Sequence, residues 1–460
     1  EAQERSEILS MELTRRHFIQ SAAAAGMWLA AAKSGIAEDA AAAQPVPAKK
    51  NADEVNVALI GVGAQGRVLL DAARRIPGIK FKAVCDIWPY SQQYAAGQLK
   101  KSGHDVNVYE DYREMLDKEK GLDAVLVATP DWLHAEHTNA CLNAGLHVYC
   151  EKEMSNSLEK AKSMVLTAKS TGKLLQIGHQ RRSNPRYRHA IDVLIHEAKL
   201  LGRLTHAYGQ WNRSKSDDLT CAQRLVIPQE KLEKYGYTNM HAFQNWRWFK
   251  KYGGGPIVDL GSHQIDLFSW VWGCNPKSVI ASGGVDFYKT HEWYDNVLTI
   301  YEYETPQGTS RAFYQVLTTN KNGGYYEKFM GEDGTIVISE QTALGNAAES
   351  ERDEQAAEWK KWVEKGYLDA MTEQVTRTTT QNTAVDVRAS KPPRRWPIPI
   401  DLAKPAHQPH IENFFDAIRL GSKLNCPAEV GYETAVAVLA ANESVAAGRK
   451  VEFKAEDFRA

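Results

Sequence analysis

The chain has 460 residues, 43% of them hydrophobic and 25% charged, with a formal net charge of -1. That is an ordinary globular composition, long enough for two or more domains, and it carries no electrostatic footprint for nucleic acid or an anionic membrane. The six cysteines (Cys85, Cys141, Cys150, Cys221, Cys274, Cys426) follow no CxxC or other metal-like spacing, so no disulfide framework and no metal site are expected.

The first 50 residues read as a signal and linker, not as fold. Thr14-Arg15-Arg16-His17-Phe18-Ile19-Gln20 precedes a mildly apolar, Ala-rich run over 21–32. An arginine pair before a weakly hydrophobic core is the pattern of a Tat export signal, with Met11 as the expected start and cleavage near 30–32 or 40–43. The apolar run is too short to span a membrane and no cysteine follows it, so a soluble periplasmic or secreted protein without membrane anchor is expected.

From residue 51 to 182 strands and helices alternate. Residues 55–60 form an apolar strand, and Gly61-Val62-Gly63-Ala64-Gln65-Gly66 follows it directly. A helix over 67–76 and a strand over 81–85 come next, ending in Asp86. Glycines between strand and helix let the backbone approach a pyrophosphate, and the helix N-terminus supplies donors. Asp86 would accept from ribose hydroxyls and repel a 2′-phosphate, which favours NAD and leaves NADP as the alternative. Further strands are expected at 124–128, 147–150 and 174–177, with helices up to 143 and over 158–169. These alternating strand–helix units predict a doubly wound parallel sheet of the Rossmann kind, with ligands at the carboxyl ends of its strands. Those ends carry the glycine turn, Asp86, Thr129 to His134, and Lys152.

Residues 183–460 change character. After a helix over 185–199, segments 203–211, 278–285, 295–304, 309–318 and 334–339 alternate polar and apolar residues. This predicts a second, α+β domain built on an open, mainly antiparallel sheet. Residues 212–253 form an irregular aromatic insertion containing Asn245-Trp246-Arg247-Trp248-Phe249, and 346–405 read as an excursion with one helix near 351–365. Amphipathic helices close the chain at 410–419 and 429–448. Between insertion and sheet lies Gly253-Gly254-Gly255-Pro256-Ile257-Val258-Asp259-Leu260-Gly261-Ser262-His263, a glycine run entering an apolar helix. Asp259 and His263 are four residues apart, so a regular helix sets them on one face with the carboxylate orienting the ring.

Four ordered motifs carry a resemblance. Gly61 to Gly66, Ala128-Thr129-Pro130-Asp131-Trp132-Leu133-His134, Ala144-Gly145-Leu146-His147-Val148-Tyr149-Cys150-Glu151-Lys152, and Gly253 to His263 resemble the Gfo/Idh/MocA family of nicotinamide-dependent sugar and inositol oxidoreductases. The resemblance implies Lys152, Asp259 and His263 as catalytic residues. It implies that Gly61, Gly63, Ala64, Gln65, Gly66, Asp86, Thr129, Pro130, His134, Glu151 and Lys152 hold the cofactor, and that subunits pair into a homodimer or homotetramer. It departs from the family at Glu153, where proline usually follows the lysine. Arg182, Tyr187, Trp246 and Arg247 are the expected contacts to a carbohydrate or cyclitol, since aromatic rings stack on sugar faces and arginine reaches their oxygens. Three functions fit: hydride transfer at a secondary hydroxyl with a tightly held cofactor, an NAD-dependent glycosidase using transient oxidation and elimination, and a non-catalytic sugar-binding protein.

Overall fold

In the computed structural model, residues 54–372 and 393–460 are described; the segment expected to be a signal lies outside them. Among the described residues no helix is long and apolar enough to cross a membrane. The unbroken apolar run of β1 (Val55–Ile60) is buried at five of its six positions, as a strand covered on both faces requires. Around it lie α1 (Ala64–Ala73), β2 (Ile79–Cys85), α2 (Pro89–Lys101), β3 (Asn107–Tyr109) and α3 (Tyr112–Lys118) on one side. On the other are β4 (Ala124–Val127), α4 (Asp131–Asn143), β5 (His147–Cys150), α5 (Leu158–Thr171) and β6 (Leu175–Ile177). The six strands pair in parallel in the order β3-β2-β1-β4-β5-β6. The chain therefore switches direction between β1 and β4, where such sheets open a crevice for ligands. β3 is a short, exposed edge strand, which leaves it without the apolar signal that marks the others.

The second sheet has nine strands. They are β7 (Leu204–Asn212), β8 (Ser278–Gly284), β9 (Asn296–Thr305), β10 (Gly308–Leu317), β11 (Tyr325–Gly331), β12 (Gly334–Ile338), β13 (Asn346–Ser350), β14 (Arg394–Pro397) and β15 (Val451–Glu452). Their order is β14-β13-β12-β11-β7-β10-β9-β8-β15. Every neighbouring pair is antiparallel except β7 and β10, which run parallel. Two expectations are corrected here. The segment 346–405 is not merely an excursion, because β13 and β14 within it extend the sheet by two strands. β11 is an unanticipated central strand; its pattern Tyr-Tyr-Glu-Lys-Phe-Met-Gly hides a buried Glu327 that reads as a surface residue until its partners are known.

The helix expected over 185–199 begins with an α-turn at Pro185–Arg188 and continues as a π-helix over His189–Glu197. One face of the nine-stranded sheet is covered by α6 (Ser262–Trp272), which comes so close that a Cβ on Gly209 of β7 would meet Gln264 and Phe268 at 3.1 Å. The closing helices are α7 (Gln408–Leu420) and α8 (Ala428–Ala447). Ile411, Phe414 and Phe415 of α7 join the core formed by Val57, Leu59 and Tyr149 of the parallel sheet. Gln176 of β6 also donates to the His410 carbonyl at 2.7 Å. Residues after 407 thus brace the first sheet as well as the second, and one of the buried apolar clusters runs through both halves.

Candidate active site

The turn after β1 is shaped by backbone proximity. Gly61 has φ +88°, and a Cβ there would meet the Ala128 carbonyl at 2.6 Å; a Cβ on Gly66 would meet the Gly61 carbonyl at 2.0 Å. Only glycine closes this turn. Gly63 differs, for a Cβ there would touch nothing within 4 Å. It faces open space at the start of α1, whose first turn has no acidic residue and no side-chain cap. The free N–H groups of Ala64, Gln65 and Gly66 therefore suit a pyrophosphate, and the residues fit a dinucleotide.

The surrounding groups hold this edge together. Asp86 accepts from the Val62 N–H at 2.7 Å and from the Trp88 N–H at 2.8 Å, so its carboxylate is aimed at the mouth of the turn. Gln65 donates to Glu151 at 3.0 Å, tying the glycine turn to the end of β5. Pro130 precedes the first residue of α4, and the Thr129 hydroxyl pairs with His137 at 3.1 Å. His134 is deeper than a cofactor contact needs to be. It is 1% exposed, with its ring nitrogens against the carbonyls of Glu153 (2.7 Å) and Thr129 (2.6 Å), and so braces the loop.

Across the crevice, Lys152 reaches the glycine-run helix. Its Nζ donates to the backbone carbonyl of Asp259 and lies 3.3 Å from that residue's Oδ1. Arg247 takes the other carboxylate oxygen at 3.1 Å, with its guanidinium lying over Trp246. Burial alone would raise the Asp259 pKa, but Arg247, then Lys152, then Arg213 hold it well below the usual carboxylate range. The structure corrects one expectation. Asp259 does not orient His263, because two cations outcompete a neutral imidazole for the carboxylate. A π-helical turn over Ile257–Gly261 also changes the helical phase between the two residues.

His263 is 7% exposed, and its Nδ1 is buried without a hydrogen bond. Beside it stands His179, whose two ring nitrogens are also buried and unpartnered, with the rings edge-on at 6.5 Å. Orphaned polar atoms are rare inside proteins and gather where a ligand or water completes them. Burial, reinforced by Lys152, Arg181 and His179, keeps His263 well below the ordinary histidine value, so the ring is neutral. Trp211 of β7 lies against the His263 ring at 5.5 Å and stacks on Tyr325 at 4.5 Å.

The remaining expected substrate residues divide. Trp246 and Arg247 sit at the cluster just described. Tyr187 is fully buried and donates to Glu327 at 2.7 Å, while Arg182 grips Asp266 at 2.8 Å; both act as supports behind the site. Asp131, His179 and Arg213 belong to the site and were missed. Asp131 had a signal, its place in the motif after Pro130; the other two had none, since their position depends on sheet register.

Glu153, which follows Lys152 through a cis peptide bond, is fully buried with Oε2 unpartnered. Burial pushes its pKa up to about 8. A carboxyl raised on folding stabilises the protein fully below its unfolded value and loses that contribution as pH rises through the folded one. Glu153→Gln is therefore expected to gain stability over wild type between the unfolded carboxyl value and about pH 8, by up to about 1.4 kcal/mol per pH unit. Thermal melts across that range check it, and a pH-independent difference would contradict it.

Residues 55–179 match the family profile described as an oxidoreductase family with NAD-binding Rossmann fold. Residues 194–337 match the GFO/IDH/MocA C-terminal domain. The chain is 30% identical over 203 residues to an inositol 2-dehydrogenase of Rubrobacter xylanophilus, covering 43% of this chain and 53% of that protein. It is 29% identical over 195 residues to a D-glucoside 3-dehydrogenase of Escherichia coli, covering 42% and 47%. The matched stretches thus span about half the length of these relatives. A levoglucosan dehydrogenase solved with NADH and L-sorbose shares the fold, at TM-score 0.64 and 18% identity, over 88% of this chain and 100% of that one. With two profiles of one family matched in order along both halves, the chain belongs to the Gfo/Idh/MocA family of oxidoreductases.

Proposed function

We propose that this protein oxidises or reduces a secondary carbon of a sugar, glycoside or cyclitol with a nicotinamide cofactor, NAD being favoured by Asp86. The observation that carries the reading is the contact of Lys152 with Asp259 across the crevice, with the unpartnered His263 near enough to feel the Lys152 charge. The nicotinamide supplies the hydride acceptor or donor. On the protein, neutral His263 takes the hydroxyl proton as hydride leaves the carbinol carbon. Lys152, fixed by Asp259, donates to the developing alkoxide. Asp259 stays ionised and sets the position of both Lys152 and Arg247. The named activities of the inositol and glucoside relatives and of the levoglucosan enzyme support this substrate class.

The cofactor is held tightly in this reading. Residues 213–253 strap across the edge where the adenosine half would lie. Trp88 donates to the Leu225 carbonyl at 2.6 Å, Lys231 pairs with Glu110 at 2.5 Å, and Trp132 packs edge-on to Tyr237 at 5.7 Å. Slow release suits a protein exported already folded, as Arg15-Arg16 supports. The reading includes a homodimer or homotetramer formed through the outer face of the nine-stranded sheet. There Ile280, Leu298 and Ile300 are exposed and Phe313 stacks on Tyr208 at 5.5 Å.

The test is to unfold the purified protein and assay the supernatant for nicotinamide nucleotide. Near-stoichiometric NAD(H) is expected. No bound nucleotide, and none taken up on addition, would sink the reading and leave a binding protein on this fold.

A further inference from the structure

The charges at the cleft do not balance. Lys152 and Arg247 share the single carboxylate of Asp259. Asp131, the other acid of the cluster, is buried and accepts only a long 3.4 Å bond from the Gly254 N–H. A third cation, Arg213, has no hydrogen-bonded or ion-paired acid among the described residues; its guanidinium lies 5.4 Å from the centre of the Trp211 ring.

Three features make Arg213 part of the site and not a surface charge. Its main chain is pinned at the end of β7, where its N–H donates to the Leu317 carbonyl of β10 at 2.8 Å. The side chain reaches solvent, and it is close enough to the cluster to feel the Asp259 carboxylate and the opposing Arg247 charge. The indole it covers is the one that lies against His263 on its way to Tyr325. His263 and Arg213 thus border the same Trp211 ring.

We propose that the substrate is an anionic sugar of the uronate class, its carboxylate paired with Arg213 while its reacting hydroxyl lies on His263 and Lys152. A guanidinium offers paired N–H donors that match one carboxylate, and among the described residues no acid is hydrogen-bonded to them. A neutral hexoside would leave this positive cluster uncompensated. The proposal rests on the oxidoreductase reading above and deepens it by naming the charge of the substrate.

The experiment uses the full-length holoprotein and a panel of uronates, each matched with its neutral hexose. Binding is followed by calorimetry, and reduction of bound nicotinamide by its near-ultraviolet absorbance. The uronate is expected to bind about tenfold or more tightly than its partner. Arg213→Gln should erase that preference, Arg213→Lys should restore part of it, and added salt should narrow it. Neutral sugars that bind as well as uronates, with Arg213→Gln changing nothing, overturn the proposal even where nicotinamide is reduced. Arg213-dependent uronate binding without any reduction upholds the anion site and removes the dehydrogenase reading instead. Absence of binding by every uronate at millimolar concentration overturns the proposal.

Discussion

Replacing His263 with alanine is expected to lower turnover by about 10²–10⁴-fold while bound nucleotide stays in place, because general-base transfer contributes on that scale. The ring sits 7% exposed next to Trp211 and His179 and makes no hydrogen bond to the residues of the glycine turn, so its loss removes the proton acceptor and leaves the cofactor edge intact. The pH profile separates this role from packing. His263 is held well below 6.5, first by burial and then by Lys152, so it causes no break near the ordinary histidine value. A group of the cluster that titrates near neutrality is Asp131, pushed up to about 7 by burial and then by Asp259, below the value of about 8 for Glu153. As pH falls through that value Asp131 gains a proton and the cleft gains positive charge. A break near 7 in kcat/KM should therefore vanish in Asp131→Asn and persist in the residual activity of His263→Ala. A break that moves with His263 would contradict the assignment.

The largest stability effect is expected at Glu327. Its side chain is fully buried on β11, paired with Arg181, whose Nη2 also lies 3.2 Å from Glu340, and it accepts from Tyr187 at 2.7 Å. Glu327→Ala leaves a buried guanidinium and a buried phenol short of their partner, which costs about 3–5 kcal/mol. Removing both charges together, as Arg181→Met with Glu327→Leu, is expected to recover most of that loss, since a buried pair repays little more than its own desolvation. Urea unfolding of the single and double variants checks both. Equal losses in the two would show that packing, not the unpaired charge, sets the cost. The pair also joins the end of the first sheet's chain to the middle of the second, so unfolding should remain a single transition in wild type.

Much of this was legible from the residues alone. The apolar run 55–60, the glycines after it and Asp86 required a parallel sheet with a pyrophosphate turn, because only glycine tolerates Gly61's positive φ and the close approach at Gly66. Period-two alternation at 295–304 and 309–318 required an open antiparallel pair, and β9 and β10 form it in register. Lys152, Asp259 and His263 were each marked by local motif. Tertiary structure alone decided the rest. A local pattern cannot say which acid a cation will find, so the Asp259 carboxylate went to Lys152 and Arg247 and not to His263. Glu327 looks like a surface residue until Arg181, 146 positions away, neutralises it. Arg213 and His179 entered the site only because the pairing of β7 with β10 and the turn after β6 bring them to the same edge. Periodicity records which face of an element is apolar; it does not record what lies opposite, and the chemistry here depends on what lies opposite.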